Sequence, residues 1–244
     1  MDGLQPLAVL LRGDGILVVD KPAGLPVQAG RRGGPSVEAL LAAAGRNRRA
    51  PRAVHRLDQD TSGCLLLAER AAAHRALSAA FAARRVLKLY FAVVAPEPAS
   101  DGGVVAAALA KRSSPGSGWW MELSDAGQEA RTRWRVLARS GASALVAFRP
   151  ETGRTHQLRV HATCLAPGAA ILGDPVYGRA EAGGLMLHAG GLAFGWKGAL
   201  LVARAPVPTR FPSWARQAAE DQLVEFGGSS EAIIAEAIRS GSGL

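Results

Sequence analysis

The chain has 244 residues, 48% hydrophobic and 20% charged, the balance of a globular protein that buries a sizeable core without disulfide staples. No run approaches about twenty apolar residues, and Met1-Asp2-Gly3-Leu4 lacks the basic-then-apolar order of a secretory signal, so neither a membrane span nor export is expected. Lys and Arg number 29 against 20 Asp and Glu, a net charge of +9; setting aside the acidic last thirty residues leaves 27 basic and 15 acidic, a net +12, which points to a polyanionic partner, nucleic acid first.

Gly15 to Asp20 is an apolar run bounded by glycine and proline and reads as a buried strand. Lys21-Pro22-Ala23-Gly24-Leu25-Pro26 follows as a turn-rich loop, and Gly30 to Pro35 is a glycine and arginine stretch. Ser36 is placed to N-cap a helix over Val37 to Ala44. Cys64 to Ala68 reads as a strand, Arg70 to Ala83 as a helix and Val86 to Val94 as an alternating strand. Strands around Val104–Leu109 and Trp119–Leu123 read as a hairpin joined through Ser113-Ser114-Pro115-Gly116. Glu129 to Ala138 pairs with Ala144 to Phe148, and Thr155 to Leu165 has helical periodicity. Leu185 to Phe194 and Leu200 to Ala203 are late strands, and Phe211 to Leu223 and Glu231 to Ile238 are helical. The expectation is one mixed catalytic domain over 1–214 and a weakly tethered acidic helical extension over 215–244.

The richest polar segment is Val54-His55-Arg56-Leu57-Asp58-Gln59-Asp60-Thr61-Ser62-Gly63, directly before an apolar strand. Charges there are costly unless paired, and loops at strand ends are where functional groups are placed. Taken alone, Asp58 could simply pair with Arg56 or cap the following turn. A second segment, Arg149 to His161, carries three arginines and two histidines on a turn and the helix it opens, and an arginine from it could keep Asp58 ionised and aimed. Two arginine clusters, one spread from Arg31 and Arg32 through Arg46, Arg48, Arg49 and Arg52 to Arg56, the other from Arg131 to Arg159, suit phosphates. His156 and His161 are five apart, a poor spacing for two ligands on one helical face, so no metal is expected. His55 reads as a loop-orienting residue and His188 as a core residue. Cys64 and Cys164 read as buried thiols of a reducing cytosol. Trp119-Trp120 either stack on RNA bases or cover the edge of the sheet.

From Ile16 to about Phe211 the chain resembles the RluA-type pseudouridine synthases. The resemblance rests on ordered motifs: Lys21 to Val27, Val54 to Leu67, Lys88-Leu89-Tyr90, Gly153 to His161 with Ile171 to Gly178, and Leu187-His188-Ala189. It implies an α+β fold with a single mixed, mainly antiparallel central sheet and flanking helices. It also implies isomerisation of uridine in ribosomal or transfer RNA to pseudouridine after base flipping. Asp58 would be the catalytic carboxylate, Arg159 its ion-pair partner and Tyr90 a base-stacking residue. Arg56 would fill the space left by the flipped uridine, with Lys21, His55, Leu57, Thr61, Arg154 and His156 lining the substrate. No cofactor is implied, nor an accessory RNA-binding domain before the first strand; a cytoplasmic monomer is expected. Two other classes compete: a catalytically silent RNA-binding module or assembly factor, for which Asp58, Tyr90 and Arg159 would be superfluous, and a metal-dependent phosphodiester hydrolase, for which clustered acidic or histidine ligands are lacking.

Overall fold

The first element is a hairpin. Asp14 and Gly15 both hold positive φ, 53° and 81°, which is the backbone a two-residue primed turn requires. The turn joins β1 (Ala8–Gly13) to β2 (Ile16–Lys21), with Gly13 opposite Ile16. Then come α1 (Val37–Ala44), β3 (Arg52–Ala53), β4 (Ser62–Ala68), α2 (Ala71–Ala82), β5 (Leu87–Ala95), β6 (Gly102–Ala106), β7 (Leu109–Ser114) and β8 (Gly118–Leu123). They are followed by β9 (Arg131–Ser140), β10 (Ser143–Pro150), α3 (Gln157–Ala162), β11 (Ala170–Ile171), β12 (Leu187–Trp196), β13 (Ala199–Arg204) and α4 (Ser213–Arg239). The computed structural model describes residues 7–30, 33–44, 50–116 and 118–239, with side chains in α4 described as far as Phe226. Arg31, Arg32, Arg46, Arg48 and Arg49 of the first arginine cluster lie outside the described residues.

The elements gather into two units. One comprises Met1–Leu87, Ala189–Pro206 and Gly227–Leu244; the other comprises Lys88–His188 and Val207–Phe226. In the first, strands follow the order β1-β2-β4-β12-β13, with β3 beside the end of β4. Every residue of β4 is buried, which is why it reads as a continuous apolar run rather than an alternation. Ile16, Val18, Cys64, Leu66, Leu192 and Phe194 share a core cluster with Ala73, Leu77 and Ala80 of α2. Those three helical residues recur at the spacing that keeps one face inward. Burying each large side chain there contributes roughly 1.5–3 kcal/mol. Gly63, the second residue of this strand, has φ 109°, and a Cβ on it would lie 2.2 Å from the Ala189 carbonyl oxygen, so only glycine lets β4 approach β12. Ser36 caps α1 as its sequence suggests, its Oγ accepting the Ala39 amide proton at 3.1 Å.

In the second unit the order is β5-β10-β9-β6, with β11 on the end of β5. β7 and β8 form a separate two-stranded sheet, packed against α3 through Leu109, Met121, Ala130, Val160 and Tyr177. This corrects one expectation: the strand of Trp119 pairs with Leu109–Ser114, while Gly102–Ala106 pairs with β9. The helix expected over Thr155–Leu165 is regular only from Gln157 to Ala162, because His156 enters it in the left-handed conformation, φ 52°, and the chain leaves it in turns closed by Thr163 to Val160 and Leu165 to Ala162. α4 is one helix of 27 residues rather than two. Its first half buries Ala215, Ala219, Leu223 and Phe226 along one stripe, so that half is packed rather than weakly tethered. Cys164 is exposed, against expectation, because it falls in the turns after α3; Cys64 is buried, and burial first, then the Asp20 charge, pushes its thiol up to about 12.

Candidate active site

Asp58 sits in a turn, half-buried, with its carbonyl accepting the Thr61 amide proton at 3.1 Å. Leu57 beside it is buried and Arg56 is exposed. The turn is held from below by Lys21, whose side chain has no exposed surface. Its ammonium donates to the carbonyls of Pro22, Leu25 and Gln59 at 2.8, 2.7 and 2.8 Å. The Gln59 carbonyl also accepts the Gly24 amide proton at 2.9 Å. A buried ammonium has three protons to place, and these three carbonyls take them. The loop after β2 is thereby tied to the residue following Asp58. Lys21, expected among the substrate-lining residues, is fully buried and bonded to the loops on both sides of it.

His55 is also structural in its contacts. Its Nε2 accepts the Leu66 amide proton at 3.0 Å, which requires an unprotonated Nε2, and its ring stacks on Phe81 at 4.6 Å. Thr61 is buried at the entry to β4.

In the second unit, α3 presents a different constellation. Arg159 is 5% exposed and forms a two-pronged pair with Asp174, Nε to Oδ2 and Nη2 to Oδ1, both at 2.7 Å. The Asp174 Oδ1 further accepts the amide protons of Val176 and Tyr177 at 2.9 and 3.1 Å. Burial acts to raise the Asp174 pKa, but the Arg159 bonds and charge together with these amides outweigh it and hold the carboxyl below 3.8. The Arg159 Nη1 lies 3.1 Å from the Nε2 of His156. Arginine only donates, so His156 accepts there and carries its proton on Nδ1, 2.8 Å from the Tyr177 hydroxyl. That hydroxyl oxygen also accepts the Met121 amide proton at 2.9 Å. Trp119 stacks on His156 with centroids 4.9 Å apart.

Beneath α3 the buried polar side chains are bonded to one another and to the strands. Gln157 Nε2 donates to the Arg131 carbonyl and to Thr132 Oγ1, at 3.1 and 2.9 Å. Its Oε1 accepts from Thr152 Oγ1 at 2.7 Å and from the Arg154 amide at 2.9 Å. His161 Nε2 donates to the Ala107 carbonyl at 3.0 Å, and its Nδ1 lies 2.8 Å from Thr132 Oγ1. Burial keeps the His161 pKa below 6.5 despite the Ala107 bond, which favours the neutral ring with the Thr132 hydroxyl donating to Nδ1. Arg154 is exposed and its Nε donates to the Glu129 carbonyl at 3.0 Å. Tyr90 is 8% exposed on β5 opposite Phe148, and Lys88, two residues earlier, donates to the Thr152 carbonyl at 3.0 Å. His188 is buried with its ring edge-on to Phe211 at 6.4 Å.

Within the first unit, then, Lys21, His55, Leu57, Asp58 and Thr61 belong to one loop assembly, with Arg56 at its surface. Within the second, His156 and Arg159 are in direct contact, while Tyr90 and Arg154 stand on other elements. Trp119, expected either to stack on RNA bases or to cover the sheet edge, joins His156 and Arg159, as do Asp174 and Tyr177 from the motif Ile171 to Gly178. Asp174-Pro175 carried a visible turn signal, since aspartate accepts amide protons two residues on, but nothing local showed which arginine it would meet. On the β9–β10 surface, Arg149 stands directly opposite Arg133, and Glu151 bonds both Arg131 and Arg133, at 3.0 and 2.6 Å. Burial first, then the Arg133 charge, lowers the Arg149 pKa against the attraction of Glu151. Facing guanidiniums on neighbouring strands repel, an arrangement suited to an anion.

A sequence model of the RNA pseudouridylate synthase family matches residues 15–163. The chain belongs to that family. The matched span of this synthase contains Lys21, the whole Asp58 loop, Tyr90 and Arg159, whereas Asp174 and Tyr177 lie beyond it. An uncharacterised RNA pseudouridine synthase of Zymomonas mobilis is 46% identical over 200 residues, covering 80% of this chain and 91% of the relative. Ribosomal large subunit pseudouridine synthase D of Nitrosomonas europaea is 41% identical over 178 residues; the match takes in 71% of this chain and 50% of that protein. Among solved structures, human RNA pseudouridylate synthase domain containing 1 superposes with a TM-score of 0.73 at 25% identity, over 92% of this chain and 96% of that one. The synthase is accordingly an RNA isomerase by class, on an α+β fold of strands with few flanking helices. Among the described residues no helix is long and apolar enough to cross a membrane, and no three His, Cys, Asp or Glu side chains gather as metal ligands.

Proposed function

We propose that this synthase converts a uridine of a structured RNA, ribosomal or transfer RNA, to pseudouridine through Asp58, as a cytoplasmic monomer that needs neither metal nor cofactor. Asp58 either displaces uracil from the anomeric carbon, the Asp58–C1′ bond then breaking as C5 attacks C1′, or removes a neighbouring ribose proton that it returns as C5 bonds to C1′; in both routes the N1–C1′ bond breaks and uracil turns before C5 joins C1′. The C5 proton leaves and N1 takes one up, so atoms balance and nothing is consumed. Tyr90 stacks on the target base and assists removal of that proton, and Arg56 enters the space left in the RNA. Reaching the glycosidic bond requires the nucleotide to leave its stack, at a cost of a few kcal/mol. Arg154 and the β9–β10 arginines bind phosphates.

The observation that carries this reading is the construction of the Asp58 turn, in a chain of this family, by a fully buried ammonium bonded to the Gln59 carbonyl. Burying a charge is costly unless it is fully hydrogen-bonded, and this ammonium meets that cost with three carbonyls of the loops it joins. The names of relatives such as the large-subunit synthase D of Nitrosomonas europaea support ribosomal RNA first. Total RNA incubated with wild-type and Asp58→Asn protein, then mapped by carbodiimide-dependent reverse-transcription stops, tests it. The expected result is stops with wild type alone, with RNA affinity of the variant within several-fold. Stops with both proteins would overturn the role of Asp58, and stops with neither, despite salt-sensitive binding, would favour the RNA-binding module.

A further inference from the structure

Among the described residues, Trp119 is an exposed large aromatic side chain that the reaction leaves without a task. It keeps 44% of its surface exposed, although indoles are ordinarily withdrawn from water. Strand alternation puts it on the same face of β8 as Met121, and Met121 is buried against Leu109, Ala130 and Val160. The face that grips α3 therefore carries the indole outward at its end. The ring is not loosely placed. It stacks on His156 at 4.9 Å and 29° between planes, and His156 is itself fixed by Arg159 and Tyr177. The Lys111 ammonium lies 4.7 Å from the indole centroid. Covering the edge of a sheet would need neither the exposed area, nor a second ring behind the first, nor a cation alongside.

We propose that Trp119 is a stacking platform for one unpaired nucleobase of the RNA, with Lys111 taking that nucleotide's phosphate. The proposal rests on the RNA-modifying reading and adds a preference for single-stranded or loop nucleotides to it. Stacking on an aromatic face tolerates any base, because every base has a π-face, and a flexible lysine can leave the ring for a phosphate when a base takes its place. The chain from the indole through His156 to Arg159 makes Trp119 a positioning residue for α3 as well as a binding surface. A base paired inside a duplex offers no free face, so discrimination follows from geometry rather than from base edges.

The test measures affinity of the full chain for two fluorescein-labelled RNAs by anisotropy: a hairpin with an unpaired loop, and a fully paired duplex of the same length. Trp119→Ala is expected to weaken loop binding about tenfold, or about 1.4 kcal/mol, and to leave the duplex within about twofold. Trp119→Phe should recover most of the loss, and Lys111→Gln should lower the salt slope by about one unit or less. Unchanged affinity of Trp119→Ala for the loop, or equal losses on loop and duplex, would overturn the platform. Tritium release from RNA carrying [5-³H]uridine, run on the same preparations, separates the two readings. Wild type that prefers the loop through Trp119 yet releases no tritium refutes the isomerase and upholds the platform. Trp119→Ala that releases tritium with an unchanged KM does the reverse.

Discussion

Asp174→Asn keeps the volume of the side chain and the Oδ1 acceptor that serves the amides of Val176 and Tyr177. It removes one carboxylate charge from a guanidinium that is only 5% exposed and is held by two contacts of 2.7 Å. A charge-assisted hydrogen bond contributes about 1.5–3 kcal/mol, and breaking a buried ion pair from one side costs about 3–5 kcal/mol. Because the shape and the two amide bonds survive, the expected loss is at the lower end, about 3 kcal/mol. With a urea dependence of about 2 kcal/mol per molar, the unfolding midpoint falls by about 1.5 M. The pH dependence has a definite sign. The folded carboxyl lies below 3.8, so its contribution is present above that pH and is lost as pH falls through the folded value. Wild type and variant therefore converge in acid. Urea titrations followed by circular dichroism at neutral pH and at successive steps below pH 3.8 read both quantities. A loss under about 1 kcal/mol, the size of a surface ion pair, or a gap that does not narrow as pH falls below 3.8, would refute the reasoning.

Lys21→Met should lower stability by about 2–4 kcal/mol, since three carbonyls lose their donor, and should reduce kcat far more than RNA affinity; a variant of full activity would remove Lys21 from the positioning of Asp58. For His161, whose folded pKa lies below the ordinary 6.5, stability holds above 6.5 and declines as pH falls toward the folded value, because the unfolded ring takes up the proton first. An NMR titration should place the His161 midpoint below 6.5, and a midpoint above it would contradict the proton assignment through Thr132. Alkylation of the native protein followed by peptide mass spectrometry should label Cys164 and spare Cys64, with both labelled in denaturant; equal labelling would contradict the burial of β4.

What could be read directly from the residues was local. Ser36 before an apolar periodic segment, the spacing of Ala73, Leu77 and Ala80, and the Asp58 loop at the mouth of an apolar run each state their structure within a few positions. The Asp14-Gly15 dipeptide was equally local and announced the β1–β2 hairpin, yet β1 went unanticipated because its flanking residues alternate poorly. Pairing was harder. Whether the Trp119 strand joined Gly102–Ala106 or Leu109–Ser114 depended on register, which is set between strands rather than along them. Phe211 to Leu223 and Glu231 to Ile238 read as two helical segments, but intrinsic propensity is a weak prior and α4 runs through both. Arg159 was recognised from its motif, whereas its contact with Asp174, fifteen residues on, follows from how the chain folds back after α3.

α3 has only six residues, fewer than two turns, and a helix so short has no standing of its own in water. Its persistence is lent by Gln157 and His161, which root it in Thr132 on β9 and Thr152 after β10. The aim of Arg159 is therefore a property inherited from a hydroxyl on another strand. A change as small as Thr132→Val, silent to any inspection of charged groups, would reverse no contact of Arg159 and yet leave the guanidinium on ground that can turn.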